Sequence, residues 1–152
     1  MSKAALPRVL LLVGLPGSGK STWAAKQRWP VLSSDAIRAT LADNEADQTL
    51  NTRVFSTLRY LLKQRLELGR PVTCVDATHL TPWERRPYLR LPGCRVEAVF
   101  FDTPVAVCLE RNTQRDRVVP PAAIARMAAR MVKPTKAEGF QRVQVVRCRK
   151  EG

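Results

Sequence analysis

Apolar residues are grouped along the chain into short blocks that polar segments separate. The segment Arg8–Val13 is apolar throughout after its first residue and is bounded by Pro7 and Gly14. A continuous apolar run of this length between turn residues is typical of a strand that is buried on both faces. The pattern as a whole predicts strands over residues 8–13, 30–33, 72–76, 96–101 and 143–148.

Helical periodicity fills the segments between these strands. In the longest segment, leucine and valine residues from Leu50 to Leu62 share one stripe, and Gly69 and Pro71 end the helix. Either Ser34 or Asp35 is expected to cap the helix that follows the second strand. Helices are predicted over residues 20–28, from 34 or 35 through 41, and from 50 to 68, with further helices beginning near 82, 104 and 120.

Strands that alternate with helices predict a parallel sheet covered by helices on both faces. The length of 152 residues supports one hydrophobic core, and no repeat or linker divides the chain. The expected fold is therefore a single three-layer α/β domain over residues 1–152, with about five parallel strands.

Charge is the unusual bulk property, because 26 Lys and Arg against 13 Asp and Glu give a net charge of +13. An excess of arginine favours bidentate contacts to phosphate and predicts a polyanionic partner, although a generally basic surface is the alternative. No apolar run is long enough to span a bilayer and no signal peptide is evident, so a cytoplasmic protein without membrane contact is expected. The four cysteines, without any CxxC pair, are expected to be buried reduced thiols on strands and one helix.

The segment Gly14–Ser21 matches the phosphate-binding pattern G-x4-G-K-[ST] at every required position, between a strand and a helix. Its backbone N–H groups can converge on a triphosphate. Lys20 would pair with the β- and γ-phosphates, and the Ser21 hydroxyl would ligate Mg²⁺. ATP or another nucleoside triphosphate is therefore expected, bound by Gly14, Pro16, Gly17, Ser18, Gly19, Lys20, Ser21 and Thr22.

Asp35 and Arg38 follow the second predicted strand at helical spacing i, i+3, which places them on one face. A carboxylate there can accept the proton of an acceptor hydroxyl, while the arginine holds a phosphate. The alternative is a helix-capping aspartate beside a solvated arginine.

Asp76 ends the third predicted strand, at the sheet edge where ligands of open α/β sheets bind. It is a candidate for holding Mg²⁺ through water or for orienting the acceptor, with Thr78 close behind it. Asp102, at the end of the fourth strand, is the competing candidate. His79, the only histidine, is expected to be structural or adjacent to the substrate.

Arg111 and Arg115 are spaced i, i+4 and would share a face if their helix continues. Positioned positive charge is the main source of catalysis in phosphoryl transfer, and a mobile arginine segment can supply it. The alternative is a solvated basic helix end.

The runs GLPGSGKS, SSDAIR, VDATHLTPWERR, RNTQRDRVVP, IARM and PTKAEGF, in this order, resemble the 5′-hydroxyl polynucleotide kinase family of the adenylate-kinase-like P-loop group. The resemblance implies a P-loop kinase fold with an arginine-rich helical lid at roughly 111–134. It implies Asp35 as the general base toward a 5′-OH and Arg38 as the ligand of the neighbouring phosphate. Arg115 would contact the donor phosphates, with Arg111 supporting the nucleotide. His79 stands where many relatives have asparagine, and the role of Arg117 stays open.

The leading hypothesis is an ATP- and Mg²⁺-dependent kinase that phosphorylates the 5′-OH ends of DNA or RNA in end repair. Relatives often carry a phosphatase or ligase module, so such a partner or fused module is expected outside this chain. The alternative is a small-molecule kinase acting on a sugar, nucleoside or antibiotic hydroxyl. A non-enzymatic nucleotide-dependent nucleic-acid binder is a third hypothesis, which the presence of both Asp35 and Arg115 disfavours.

Overall fold

The computed structural model describes residues 5–116 and 118–148, so Arg117 lies outside the described residues. The strands are β1 Arg8–Val13, β2 Val31–Ser33, β3 Val72–Asp76, β4 Arg95–Asp102 and β5 Arg142–Arg147. The helices are α1 Lys20–Gln27, α2 Ser34–Ala42, α3 Asn51–Glu67, α4 Pro82–Leu89, α5 Val105–Thr113 and α6 Pro121–Arg130, with short 3-10 turns at Gln48–Leu50 and Lys136–Glu138.

The five strands form one parallel sheet in the order β2-β3-β1-β4-β5. The central strand β1 pairs with β3 on one side, where Leu12 faces Asp76, and with β4 on the other, where Leu12 faces Val99. Because all strands run in the same direction, their carboxyl ends meet at one edge of the sheet. The predicted parallel α/β sheet with flanking helices is confirmed.

Successive residues of β1 contribute to hydrophobic clusters on opposite faces of the sheet, as the pleat of a strand requires. Val9 and Leu11 pack with Leu58 and Leu62 of α3 in one cluster. Leu12 joins a second cluster with Ala24 of α1 and residues of β4. Helices therefore cover both faces of β1, which explains why its sequence is continuously apolar rather than alternating.

Two helix boundaries differ from the expected ones. Ser33 caps α2, since its hydroxyl accepts a hydrogen bond from the backbone N–H of Ala36 at 3.2 Å, so the expectation of Ser34 or Asp35 as the cap is wrong. Arg28 is not helical, because it adopts the left-handed conformation that ends α1 (φ 58°).

The side chain of Arg85 is fully buried and joins three segments of the chain. Its guanidinium donates to the carbonyl oxygens of His79 (2.8 Å) and Val132 (3.0 Å) and to both carboxylate oxygens of Glu138 (2.9 and 3.1 Å). The positive charge of the guanidinium strengthens each of these hydrogen bonds, so the buried cation has several hydrogen-bond acceptors. Helix α4 and the segment after α6 are consequently fixed to one another.

The four cysteines are all reduced, and Cys74 on β3 and Cys108 on α5 are buried as expected. Cys94 and Cys148 differ from the expectation, because each is partly exposed and lies outside the strands, in a turn before β4 and directly after β5. Burial raises the pKa of the Cys74 thiol to about 11, so it stays protonated at neutral pH. None of the helices in the described ranges has the length and apolar character needed to traverse a bilayer.

Candidate active site

The loop between β1 and α1 wraps tightly around the start of α1. Gly17 and Gly19 have positive φ angles of 80° and 102°, which glycine adopts without steric cost. A Cβ atom on Gly17 would lie 2.8 Å from the carbonyl oxygen of Cys108, so the close approach also requires glycine. Thr103 donates to the carbonyl oxygen of Ser18 at 2.9 Å and attaches the loop to the end of β4. Gly19 caps α1 without a side chain, which leaves the first N–H groups of the helix available to an anion.

Lys20 is buried at the start of α1, beneath this loop. Its ammonium donates to the carbonyl oxygens of Gly14 and Leu15, both at 2.9 Å. Burial lowers the pKa of Lys20, the negative charge of Asp76 opposes that shift, and the positive charge of Arg115 adds to it. The amine is therefore held in place by backbone oxygens, in a low-dielectric position where a phosphate would interact strongly with it.

Ser21 and Asp76 are in direct contact across the sheet edge. The Ser21 hydroxyl donates to Oδ2 of Asp76 at 2.7 Å. One hydroxyl and one carboxylate fit Mg²⁺, which usually takes one or two protein oxygens and completes its shell with water and substrate phosphates. No group of three or more His, Cys, Asp or Glu residues suited to a metal occurs within residues 5–116 and 118–148, so the protein by itself offers no closed metal cage there.

The competing candidate, Asp102, is placed differently. Its side chain is 56% exposed and lies 4.0 Å from the guanidinium of Arg147 on β5. It does not line the cleft that contains Ser21 and Asp76.

Asp35 and Arg38 lie together on α2, as their spacing predicted. The guanidinium of Arg38 donates to Oδ1 of Asp35 at 2.8 Å and to Oδ1 of Asn51 at 2.9 Å. The Arg38 side chain is only 5% exposed, whereas that of Asp35 is 44% exposed. The arginine is thus held between two helices, and the carboxylate that it contacts faces the cleft.

Asn51, at the start of α3, was not identified as a site residue from the sequence. Besides accepting from Arg38, it donates to Oε1 of Gln48 at 3.1 Å. Its separation of 13 residues from Arg38 spans a loop, so no helical or strand periodicity could have paired the two residues.

Arg111 lies in the last turn of α5, and Arg115 lies beyond the helix, which ends at Thr113. Because the helix does not continue to Arg115, the two arginines do not share a helical face, but both side chains line the cleft. Arg111 donates to the carbonyl oxygen of Gly17 at 3.3 Å and to the sulfur of Cys148 at 3.1 Å. These contacts place one guanidinium directly at the phosphate-binding loop.

Asn112, in the last turn of α5, is a second site residue that the sequence did not identify. Its side-chain amide is buried and pairs with the backbone of Val119, donating to the carbonyl oxygen and accepting from the N–H. These two hydrogen bonds have the pattern found between paired strands, and they close the turn in which Arg115 lies.

Thr78 and His79 follow β3 with different surroundings. Thr78 lines the cleft, and its carbonyl oxygen accepts from the N–H of Gly14 at 3.1 Å. His79 is buried, and its Nδ1 donates to the carbonyl oxygen of Leu12 at 2.8 Å. Burial lowers its pKa to about 4, so the imidazole is neutral at pH 7. His79 therefore has the surroundings of a structural residue.

One continuous cleft of about 1250 Å³ is lined by the phosphate-binding loop and by most of the other candidate residues, but not by Asp102, His79 or Asn112. Its walls carry residues of the phosphate-binding loop, the Asp35–Arg38 pair, Asp76 and Thr78. Phe55, Val118, Met127 and Arg130 supply further wall. Such a cleft can hold a phosphorylated donor and a hydroxyl-bearing acceptor against one another.

Comparison with known proteins agrees with this geometry. A family model described as AAA domain matches residues 9–134, which is most of the chain and includes the phosphate-binding loop, the Asp35–Arg38 pair and the arginine segment. No curated protein matches the sequence.

Solved structures share the fold at low sequence identity. A chain of the Pnkp1/Rnl/Hen1 RNA repair complex superposes with a TM-score of 0.73 and 22% identity, over 85% of this chain and 45% of that one. A gluconokinase from Sinorhizobium meliloti gives a TM-score of 0.60 and 20% identity, over 95% and 84% of the two chains. Shikimate kinase from Acinetobacter baumannii gives 0.56 and 20%, over 91% and 83%. The chain thus has the P-loop kinase fold, and it spans under half of the matched chain of the repair complex.

Proposed function

The chain belongs to the AAA domain family of P-loop proteins, and we propose that it is a kinase that transfers the γ-phosphate of ATP or another nucleoside triphosphate to the 5′-OH end of a polynucleotide. The observation that carries the proposal is the Asp35–Arg38 ion pair, which lines the same cleft as the phosphate-binding loop. A general base beside a fixed guanidinium matches an acceptor that has both a hydroxyl and a neighbouring phosphate.

On the donor side, Lys20 and the N–H groups at the start of α1 bind the β- and γ-phosphates. Ser21 would hold Mg²⁺, with Asp76 beside it as a contact through water, and the ion would supply neutralising charge for the phosphate oxygens. Arg111 and Arg115 line the cleft and stabilise the charge of the transferring group.

On the acceptor side, Arg38 binds the phosphate that follows the terminal nucleoside, and this contact sets the 5′-OH beside Asp35. Asp35 receives the hydroxyl proton as the acceptor oxygen bonds to the γ-phosphorus and the bond to the β,γ-bridging oxygen breaks. Residues 111–134 form the proposed lid, which excludes water from the transferring group.

The net charge of +13 supports a polymeric acceptor, because a polynucleotide offers a series of phosphates to a basic surface. The similarity to a chain from an RNA repair complex supports the same class of substrate. Because that chain belongs to a complex, the similarity also supports further repair proteins as partners or fused modules, and a phosphatase or ligase is the expected one.

The test measures transfer of labelled γ-phosphate to a 5′-OH oligonucleotide. Replacing the general base, Asp35→Asn, is expected to lower kcat by about 100-fold or more. Asp43→Asn, an exposed carboxylate at the other end of α2, is the matched control and should retain activity. Transfer to a sugar or nucleoside hydroxyl with none to the oligonucleotide would replace this proposal with the small-molecule kinase.

A further inference from the structure

Helix α4 presents an aromatic residue and two arginines to solvent. Trp83 is 75% exposed, more than any other large apolar side chain that the structure describes. The guanidinium of Arg86 lies 5.3 Å from the centroid of the Trp83 ring, and Arg90 is exposed one turn further on. A tryptophan ring held in solvent beside a guanidinium is available to stack on a planar ligand.

The stripe Trp83–Arg86–Arg90, here called the α4 stripe, cannot turn inward. Arg85 fixes the opposite side of the helix through its buried bonds to His79, Val132 and Glu138. Tyr88, also buried, packs edge-on against His79 at a ring-centroid distance of 5.2 Å. The exposed side chains of the α4 stripe therefore belong to a helix whose buried side is fixed.

Helix α4 reaches the cleft through Glu84, the residue after Trp83. Glu84, which adjoins Trp83, lines the cleft and accepts from the N–H of Leu80 at 2.8 Å and from Arg130 at 3.0 Å. Arg130 also lines the cleft and is largely exposed. A strand that leaves the cleft past Arg130 would reach the first turn of α4 next.

Basic side chains predominate on helix α4. Glu84 is its only acidic residue, and Arg130 engages it. An aromatic ring beside cations, on a helix whose single carboxylate is paired with an arginine, is the chemistry that binds single-stranded nucleic acid by base stacking and phosphate contacts.

We infer that the α4 stripe is a second nucleic-acid subsite, on which Trp83 stacks a base of the acceptor strand several nucleotides from its 5′ end while Arg86 and Arg90 bind the phosphates beside it. The inference rests on the proposed function, which gives the acceptor strand its path from the cleft outward to α4. It adds a contact that a nucleoside or a mononucleotide acceptor is too short to make.

The test separates binding from phosphoryl transfer. Affinity for a fluorescein-labelled, single-stranded dT16 is measured by anisotropy without a nucleotide donor, for the wild type and for Trp83→Ala, Trp83→Tyr and Arg86→Ala. Trp83→Ala is expected to weaken binding about 10-fold, and Trp83→Tyr to restore most of it, because both aromatic rings can stack on a base. Tyr60→Ala, which removes an exposed aromatic from α3, is the matched control and should leave affinity unchanged.

Kinetics with two acceptors complete the test. For the 16-mer, Trp83→Ala should raise KM about 10-fold at unchanged kcat, whereas KM for a nucleoside 3′-monophosphate should not change. Equal affinity of wild type and Trp83→Ala for dT16, or no binding of dT16 by the wild type, would overturn the inference. If Trp83→Ala weakened dT16 binding while the wild type phosphorylated only small molecules, the subsite would be supported and the polynucleotide kinase proposal would be refuted. The failure of one proposal can therefore be told from the failure of the other.

Discussion

The donor side of the cleft and its acceptor side are built in different ways. On the donor side, the Lys20 ammonium is held by the backbone carbonyl oxygens of two consecutive loop residues, and Lys20 is buried. On the acceptor side, Arg38 is positioned by side chains, and its carboxylate partner Asp35 is 44% exposed. A site formed by the backbone of consecutive residues needs a particular loop conformation, so it tolerates few changes of residue type. A site formed by side chains from separate elements can be adapted to another acceptor by changing those side chains.

The largest expected effect tests the donor side. Lys20→Met keeps the length of the side chain but removes its charge, and kcat/KM should fall about 1000-fold because a buried charge that stabilises the transferring phosphoryl group is lost. Stability should be unchanged or higher, since burial disfavours the ammonium and lowers its pKa. Steady-state kinetics and thermal unfolding measure the two effects.

Lys63→Met, at an exposed position of α3, is the control for Lys20→Met. A Lys20→Met protein that unfolded more easily and kept its activity would show that the lysine supports the loop rather than the chemistry. The contrast between the two sides of the cleft would then be wrong.

A smaller effect concerns how the free energy of unfolding depends on pH. The titrating group is His79, which donates to the carbonyl oxygen of Leu12 just before the phosphate-binding loop. Its pKa is about 4 in the folded state against 6.5 in the unfolded state, so the unfolded state binds the proton first as the pH falls. Stability should therefore fall between pH 6.5 and 4, by about 3 kcal/mol in total. Urea unfolding across that range measures it.

His79→Asn removes the titrating group and suits the left-handed backbone there (φ 49°). The difference in pH slope between wild type and variant isolates the contribution of His79. The same slope in both proteins would contradict the assignment of a buried neutral imidazole.

The smallest effect tests the acceptor side. Asn51→Ala removes one of the two side-chain oxygens that accept hydrogen bonds from Arg38 in the described part of the chain, so the guanidinium should be less well positioned. KM for the oligonucleotide should rise about 5- to 10-fold, the equivalent of one ordinary hydrogen bond, with a smaller change in kcat. Thr52→Ala, at the neighbouring exposed position, is the control. Unchanged KM would mean that the acceptor side is less dependent on side-chain support than we propose.

The sequence was sufficient to predict the elements that local patterns determine. Arg8–Val13 is apolar because both faces of the sheet are covered, and the glycines of the following loop have the spacing that a tight anion-binding turn requires. The contacts of Asn51 and Asn112 could not be predicted in this way. Each reaches across a loop to a residue 7 or 13 positions away, and no periodicity determines the path of a loop. The cap of α2 was missed because Ser33, Ser34 and Asp35 are all suitable caps, and only the backbone angles distinguish them.

The buried Arg85 sets a limit on where the chain can be shortened. The family match ends at residue 134, which invites a minimal version trimmed at that point. Such a truncation would remove Glu138, the carboxylate that takes two of the hydrogen bonds of Arg85, together with all of β5. It would leave a guanidinium inside the protein without its counter-charge, at a cost of about 3–5 kcal/mol. The smallest foldable unit is therefore larger than the region by which the family is recognised.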